Sequence, residues 1–278
     1  MDSPALAQLK ELIRAESSAL GRYVCPLYQQ ERGNGCLIGS GVPLRLGQAA
    51  FLVTASHVLR AFEDRYVYTL GADDAVSLEG ERRVVTHRKR STIDVDLALI
   101  VLRPHEADQL QRRFSFTYQN DLASAFGAAA AMELHILLGY PCSKNKPTPQ
   151  SRYETTANIA FYPSRTIASV ETSVTTGKHE LVHFALAAPG DQTQSLSGGS
   201  ARPPKAQGVS GGGVWKVGFD PAAQKFFMPQ LVGIGIEHDA KIHRFICTHI
   251  CHLLPMVQDL VDAELVDSLK RRLTPARS

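Results

Sequence analysis

Cysteine is scarce in this chain, and its count is odd. The five cysteines are spread widely over 278 residues, at Cys25, Cys36, Cys142, Cys247 and Cys251. Disulfide-stapled secreted domains carry dense, even-numbered cysteine frameworks, whereas cytosolic proteins keep their thiols reduced. The pattern therefore argues against a disulfide scaffold and predicts a cytoplasmic protein.

Long apolar runs are also missing. No stretch approaches the roughly 18 consecutive apolar residues that a membrane-spanning helix requires. The N-terminal segment carries Lys10, Glu11 and Arg14 where a secretory signal would need an uninterrupted apolar core. We therefore expect no signal peptide and no membrane partner.

Excess charge of one sign is absent as well. The formal net charge is +3 at pH 7, which is too small to indicate nucleic-acid binding. The basic run "RRVVTHRKR", residues 82–90, is interpreted as an exposed loop or strand end rather than a phosphate-binding patch. We expect no nucleic-acid partner.

Short apolar or alternating runs, separated by glycine, aspartate and charged turns, fill most of the chain. This pattern predicts an all-β barrel or sandwich. A helical or irregular stretch interrupts it near the middle, and amphipathic helix candidates stand at both ends, the second over residues 256–273. The predicted layout is an N-terminal helix over 1–22, a β half over 23–103, a connector over 104–132, a second β half over 133–256, and a C-terminal helix and tail over 257–278.

The segment "QGVSGGGVW", residues 207–215, places one serine among glycines at the end of a long polar loop. Ser210 is a nucleophile candidate because the N–H groups of Gly208 and Ser210 could both face an oxyanion, and the bare glycines would admit a substrate backbone. A second Ser-Gly-Gly, in "LSGGS", is followed by "ARPP" and not by a strand. Ser210 is therefore preferred over Ser197.

A serine hydrolase also needs a base and an acid that orients the base. Among ten histidines, His57 stands out because "FLVTASHVL" is an apolar strand that leads through small residues to the imidazole. Asp94 and Asp96 both lie in "DVDLALIVL". Asp96 directly precedes the apolar run, where a carboxylate is costly unless it is paired. Each residue alone is more typical of a structural role, but together they indicate catalysis.

Three segments together resemble the chymotrypsin-like (trypsin-like) serine peptidases. "TASHV" is similar to their T-A-A-H segment, "DLALI" to D-I-A-L-L, and "GVSGGGV" to G-D-S-G-G-P, in the same chain order. "LLGYP", 137–141, resembles a segment of disulfide-free HtrA-type bacterial domains, and "QLVGIGIE", 230–237, resembles the strand that lines the primary specificity pocket. The resemblance covers residues 23–256 and implies two six-stranded antiparallel β-barrels with the active site between them.

The resemblance also implies a role for each matching residue. Ser210 would attack the scissile carbonyl, His57 would take and return the proton, and Asp96 would orient His57. The N–H groups of Gly208 and Ser210 would bind the oxyanion. The chain is thus expected to be a serine endopeptidase with a protein or peptide substrate, and to need no metal or organic cofactor.

Val209 departs from the family pattern. Trypsin has an acidic residue at this place, which pairs with a freshly cut N-terminus and orders the oxyanion hole. Valine cannot make that pair, so activation by N-terminal cleavage is not expected by that route.

Specificity is harder to predict from the sequence. The positions six and five before Ser210 hold Pro204 and Lys205, and Pro204 cannot select a basic side chain as an acid would. Lys205, together with His238, would favour an acidic or polar residue before the cut. The predicted substrate-binding residues are Pro204, Lys205, Gly235, Ile236 and His238.

Other interpretations fit parts of the sequence. Residues 208–212 also match the G-x-S-x-G nucleophile elbow of α/β-hydrolases. "CTHICH" offers Cys247, His249 and Cys251 as metal ligands on one strand face, although core or edge packing is the more common role of such residues. The protein could also be a non-catalytic scaffold, or a protease of a cytoplasmic stress or defence system that cuts a dedicated partner docked on the terminal helices.

Overall fold

The computed structural model describes most of the chain. The described residues are 15, 18–31, 34–60, 66–72, 74–84, 94–125, 133–145, 148–149, 159–164, 167–170, 178–187, 194–195, 207–220, 225–226, 229–241 and 243–273. Within them the protein is mainly β, and its strands form two sheets.

The first sheet is built almost entirely from the N-terminal half of the chain. Its principal strands are hydrogen-bonded in the order β5-β4-β1-β2-β3-β7-β6, and each neighbouring pair is antiparallel. Two further short strands, β8 and β10, pair with β2. The strands are β1 (Cys25–Glu31), β2 (Asn34–Leu46), β3 (Ala49–Thr54), β4 (Val67–Leu70), β5 (Ala75–Ser77), β6 (Arg82–Val84), β7 (Ala98–Val101), β8 (Thr117–Tyr118) and β10 (Thr148–Pro149).

The long strand β2 connects two arms of this sheet. Residues 34–41 pair with β1, and residues 42–46 pair with β3. Burial alternates in the first part of β2, as in a strand with one wet face, but Gly39–Leu44 are buried without interruption. A Cβ at Gly39 would lie 2.7 Å from Val58 Cγ1, so only glycine allows this close approach.

The second sheet is built from the C-terminal half. Its principal order is β12-β13-β18-β17-β15-β9-β11-β14, and β16 pairs with β15. Neighbouring strands are again antiparallel. The strands are β9 (Glu133–Gly139), β11 (Ala160–Ser164), β12 (Ile167–Ser169), β13 (His183–Ala187), β14 (Gln194–Ser195), β15 (Gly213–Asp220), β16 (Lys225–Phe226), β17 (Gln230–Asp239) and β18 (Arg244–His249).

Two curled antiparallel sheets with few helices form a chymotrypsin-like double barrel, which confirms the predicted fold class. The resemblance implies six strands in each barrel. Short edge strands such as β5 and β14 extend the paths to seven and eight strands. The α/β-hydrolase alternative is wrong, because that fold requires a largely parallel sheet covered by helices.

A shared apolar core holds the two sheets together. It contains Leu44 and Phe51 from the first sheet and Ile136 and Trp215 from the second. Trp215, the single tryptophan of the chain, is 2% exposed. Burying such large apolar side chains stabilises the fold by about 1.5–3 kcal/mol each, so the interface between the sheets is part of the folded core.

The helices are short and peripheral. They are α1 (Ser56–Arg60), α2 (Pro104–Gln111), α3 (Leu254–Val257) and α4 (Ala263–Leu273). The predicted N-terminal helix lies mostly outside the described residues, although residues 18–20 are helical and lead into a 3-10 turn at Gly21–Tyr23.

The single helix predicted over 256–273 is wrong, because the chain turns between α3 and α4. Within the turn Asp259 accepts a 2.6 Å hydrogen bond from Arg83 of β6, and Arg83 also donates to Met256 O. The apolar side chains of α4, Val266, Leu269 and Leu273, are buried against the barrels. Among the described residues, no helix has both the length and the apolar character needed to cross a membrane.

Two buried histidines of the second sheet predict acid sensitivity. Burial lowers the pKa of His183 to about 4, with a contribution from nearby Lys178. Burial, together with His252, lowers the pKa of His249 to about 4. The unfolded chain therefore binds more protons than the folded protein between pH 6.5 and 4, and the stabilisation present above pH 6.5 is lost as the pH falls through this window.

We expect the free energy of unfolding to fall by about 1–2 kcal/mol per histidine between pH 7 and pH 5. Urea titrations at both pH values would measure this change. His249→Phe should reduce the difference, whereas substitution of the exposed His105 should leave it unchanged. Equal stability at pH 7 and pH 5 would contradict the prediction.

Candidate active site

His57 lies at the mouth of the first barrel. Strand β3 is almost wholly buried and ends at Thr54, and the short helix α1 begins two residues later. Val58 and Leu59 anchor this helix in the core. The His57 side chain is 50% exposed, so its ring is held by its neighbours and remains open to solvent.

Asp96 holds the histidine through both carboxylate oxygens. His57 Nδ1 lies 2.7 Å from Asp96 Oδ2, and His57 N–H donates to Oδ1 at 2.9 Å. The buried hydroxyl of Ser56 donates to the same Oδ1 at 2.7 Å. With Nδ1 protonated and bonded to Asp96, the Nε2 lone pair of His57 is available as a base.

This environment keeps Asp96 ionised. Burial raises the pKa of Asp96, but the hydrogen bond and charge of His57 together with the Ser56 hydroxyl outweigh it and hold this pKa at about 2. The backbone is also strained here, with φ of 45° at Asp96. In compensation, Thr248 Oγ1 of β18 donates to Val95 O at 2.7 Å, so the second barrel supports the aspartate loop.

The two candidate aspartates are clearly separated in the structure. Asp94 is half exposed and lies 3.7 Å from Arg60, and its Oδ1 accepts the Asp96 N–H at 3.2 Å. Asp96 is the residue placed against His57, and Asp94 supports the loop from outside.

Ser210 belongs to the second barrel but is tied to the first. Its carbonyl accepts the N–H of Ser40, on β2, at 2.8 Å. Its hydroxyl donates to Ile236 O, on β17, at 3.2 Å. The next residue, Gly211, donates its N–H to Gly235 O at 2.8 Å. Ser210 is thus fixed between a strand of each sheet.

Two glycines, which have no side chain, allow the loop that carries Ser210 to pack against the segment that carries His57. A Cβ at Gly39 would lie 2.7 Å from Val58, the neighbour of His57, and 3.1 Å from Ser210 O. A Cβ at Gly211 would lie 2.1 Å from Thr54 Oγ1, three residues before His57. The structure therefore brings the histidine, aspartate and serine candidates to one end of the junction between the sheets.

The loop of residues 207–212 carries the candidate nucleophile Ser210, and we call it the nucleophile loop. Every carbonyl from Gln207 to Ser210 accepts a hydrogen bond. Gln207 O accepts Cys142 N–H at 2.7 Å, and Val209 O accepts Gly212 N–H at 2.9 Å. Because a trans peptide places its C=O and N–H on opposite sides, these bonds turn the N–H groups of Gly208 and Ser210 the other way. No described residue accepts a hydrogen bond from either group, so both are available to an anion.

Gly208 and Gly211 have conformations that suit glycine, with φ of 92° and 85°. A Cβ at Gly208 would lie 2.7 Å from Tyr140 O and 2.6 Å from Cys142 Sγ. A side chain at either position would displace the loop backbone.

Val209 anchors the loop by apolar contact. Its side chain is 2% exposed and packs in a cluster with Leu137, Val214 and Val232. A Cβ at Gly139 would lie 2.8 Å from Val209 Cγ1, which shows how closely β9 approaches. Apolar burial of Val209 therefore holds this loop against the second sheet.

The predicted substrate-binding residues are only partly described. Gly235 and Ile236 are buried on β17, and their carbonyls accept the Gly211 N–H and the Ser210 hydroxyl. His238 is exposed two residues further on, and its ring lies 4.7 Å from that of Phe245. Pro204, Lys205 and the competing Ser197 lie outside the described residues.

The metal-site alternative gains no geometric support. Cys247 and His249 are buried on β18, but Cys251 lies in the following 3-10 helix, Ile250–Leu253, and not on the same strand face. Within the described ranges no group of three His, Cys, Asp or Glu side chains is arranged to hold a metal ion. All five cysteines are free thiols.

Two buried serines of the site were not predicted from the sequence. Ser56 donates to the aspartate, and Ser40 contacts the nucleophile loop. Both are 0% exposed. Their only sequence signal was a small polar residue inside an apolar run, in "TASHV" and "GSGV", where a hydroxyl needs a buried partner.

Comparison with known proteins yields structural likeness only. No protein-family model matches the chain, and no curated protein matches it. Among solved structures, the active form of the Rv3671c protease from M. tuberculosis is similar at 14% identity and TM-score 0.48, over 89% of this chain and 85% of that one.

Two further solved structures show similar likeness. The MamO protease domain from Magnetospirillum magneticum matches at 12% identity and TM-score 0.45, over 87% of this chain and 98% of that one. The serine protease domain of the Sesbania mosaic virus polyprotein matches at 13% identity and TM-score 0.44, over 87% and 93%. Because these TM-scores lie below 0.5, function is inferred from the site geometry. The finer resemblance to HtrA-type domains gains no support from these matches.

The buried position of Val209 generates a stability prediction. Val209→Asp should lower the free energy of unfolding by more than about 3 kcal/mol, because it buries a carboxylate among apolar groups. Val209→Ala should cost about 1.5–3 kcal/mol through lost burial. Chemical denaturation at pH 7 would measure both. A Val209→Asp protein as stable as wild type would reveal a cationic partner near the loop and contradict the apolar-anchor interpretation.

Proposed function

We propose that this protein is a serine endopeptidase that hydrolyses peptide bonds through an acyl-enzyme at Ser210. The observation that carries the proposal is the nucleophile loop itself. Its hydrogen-bonded carbonyls leave the N–H groups of Gly208 and Ser210 available beside a serine hydroxyl, close to a histidine already paired with an ionised aspartate. This combination supplies a nucleophile, a base and an oxyanion site together.

The proposed reaction follows from these atoms. The Ser210 hydroxyl turns from Ile236 O to His57 Nε2, gives up its proton and attacks the scissile carbonyl carbon. The carbonyl oxygen becomes an oxyanion that accepts from Gly208 N–H and Ser210 N–H. His57, now an imidazolium stabilised by Asp96, donates its proton to the leaving amine. Water then repeats the sequence on the acyl-enzyme and releases the second product.

A non-catalytic scaffold is the alternative from a different class. A non-catalytic scaffold does not need an ionised buried aspartate, a strained backbone at that aspartate, or hydrogen bonds to four successive carbonyls of one loop. Such costs are typical of catalytic sites. These features favour the enzyme.

The side chain accepted before the cut is proposed to be polar. Burial, with nearby His243, lowers the pKa of His238 below its usual value, so its ring is a neutral hydrogen-bonding group at pH 7. The adjacent Glu237 carboxylate, held 2.9 Å from Lys178, disfavours an acidic side chain. A cytoplasmic location and a dedicated protein partner also stay proposals, and the buried apolar face of α4 offers no docking surface for that partner.

Labelling with a fluorophosphonate probe tests the enzyme claim. Wild type should react covalently at Ser210, and both Ser210→Ala and His57→Ala should lose labelling. Turnover of a peptide library should fall at least about 10³-fold in each single variant and little further in the double variant, since the residues act as a unit. Wild-type labelling no faster than that of Ser210→Ala would favour the scaffold.

The choice between the two aspartates gives a second test. Asp96→Asn should stay folded and lose about 10³–10⁴ in kcat, because an amide leaves His57 in the wrong tautomer. Asp94→Asn should lose less than about tenfold, since the Asp94 carboxylate accepts the Asp96 N–H and lies near Arg60, and an amide oxygen can still accept that N–H. Steady-state kinetics with the most rapidly cleaved library peptide would measure both. A larger loss for Asp94→Asn would reverse the assignment.

A further inference from the structure

Ser40 is the point at which the first barrel contacts the nucleophile loop of the second. It lies on β2, between Gly39 and Gly41, and is 0% exposed. Its N–H donates to Ser210 O at 2.8 Å, and its own carbonyl accepts the Thr54 hydroxyl at 2.7 Å. The backbone of Ser40 therefore joins the serine loop to the strand that leads to His57.

The Ser40 hydroxyl makes a second, independent connection. It donates to Gly208 O at 2.9 Å and accepts the N–H of Tyr140 at 2.8 Å. Tyr140 follows β9, and Gly208 is the first of the two residues with available N–H groups. One hydroxyl from the first barrel thus bridges two separate segments of the second.

These partners have few alternatives. Tyr140 is 6% exposed, and Gly208 is buried. Removing the hydroxyl would leave a buried N–H and a buried C=O without partners, a situation that folded proteins avoid by local rearrangement or by admitting water. The peptide between Gly208 and Val209 would then be free to rotate, and that rotation changes ψ of Gly208 and φ of Val209. This peptide links the two peptides that carry the N–H groups of Gly208 and Ser210.

We propose that Ser40 is a positioning residue, whose hydroxyl fixes the Gly208–Val209 peptide and thereby aligns the two neighbouring peptides that carry the oxyanion-binding N–H groups of Gly208 and Ser210. The inference rests on the proposed endopeptidase function and adds to it that the oxyanion site of the second barrel depends on a residue of the first. Ser40 touches neither the substrate nor the reacting atoms, so its effect passes through Gly208 and Ser210.

The test compares Ser40→Ala with a matched control. Thr69→Val is suitable, because Thr69 is a fully buried residue of the first barrel whose hydroxyl donates to Pro26 O at 2.6 Å, on a strand outside the catalytic site. Both variants lose a buried hydroxyl-to-carbonyl bond. Only Ser40→Ala should disturb the oxyanion site.

We expect Ser40→Ala to lower kcat by about 10- to 100-fold, less than or similar to deleting an oxyanion donor outright, with KM changed less than threefold. Affinity for a peptide boronic acid, which forms a tetrahedral adduct on serine, should fall by the same factor as kcat/KM. The acid limb of the pH profile should not move, because the His57–Asp96 pair is untouched. Thr69→Val should retain kcat within about twofold.

A readout independent of activity separates failure of this inference from failure of the proposed function. Amide hydrogen exchange at Gly211 and Gly212, which donate to Gly235 O and Val209 O, should accelerate at least tenfold in Ser40→Ala and not in Thr69→Val. If wild type neither labels nor cleaves, the endopeptidase is wrong, and the exchange result alone decides whether Ser40 positions the loop.

Four outcomes would each overturn the role of Ser40. They are equal losses of kcat in the two variants, an effect confined to KM, a shifted acid limb of the pH profile, and unchanged amide hydrogen exchange at Gly211 and Gly212. If Ser40→Ala does not fold, Ser40→Cys takes its place, since a thiol keeps a weak donor and acceptor at the same point. The same readouts should then show a smaller change in the same direction.

Discussion

The candidate site depends on the contact between strand β2 of the first sheet and the loop that carries Ser210 in the second. Histidine and aspartate come from one sheet, and the serine comes from the other, so no element holds all three. Ser40 N–H to Ser210 O and Ser40 hydroxyl to Gly208 O form this contact. Ser40 is fully buried, so losing either hydrogen bond would be costly. Rotation of one barrel against the other would break them, and the shared apolar core resists that rotation.

The buried charge of Asp96 is the second constraint. A carboxylate at this depth is tolerated because three donors surround it, two from His57 and one from Ser56. The same bonds determine which nitrogen of His57 carries its proton. The cost of the left-handed backbone at Asp96 is offset by the Thr248 hydroxyl on the neighbouring carbonyl. Burial, strain and proton placement are thus parts of one arrangement.

Local patterns predicted a large part of the fold. Short apolar runs bounded by turn residues correspond to strands such as β1, β9 and β18, because such a run is visible in the sequence of each strand alone. The helix at α2 follows from a proline at its start and its own polar sequence. The C-terminal helix was predicted too long, because the helical periodicity of the sequence continues through residues 258–262, where the chain turns in the structure. The short strands β8 and β10 have no local signal and exist only because β2 offers them a partner.

The sequence by itself determined the residue types of the site, because glycine, serine, histidine and aspartate have chemistry that shows in short segments. It also singled out Val209 as unusual. The sequence favoured Asp96 over Asp94 because Asp96 directly precedes an apolar run, but only the tertiary structure gives its hydrogen bond to His57 and the separate position of Asp94 beside Arg60. The tertiary structure alone revealed Ser40 and Ser56, whose hydroxyls matter through partners remote in the chain. A hydrogen bond between distant segments leaves no pattern in either one, so it becomes visible only when folding brings the two together.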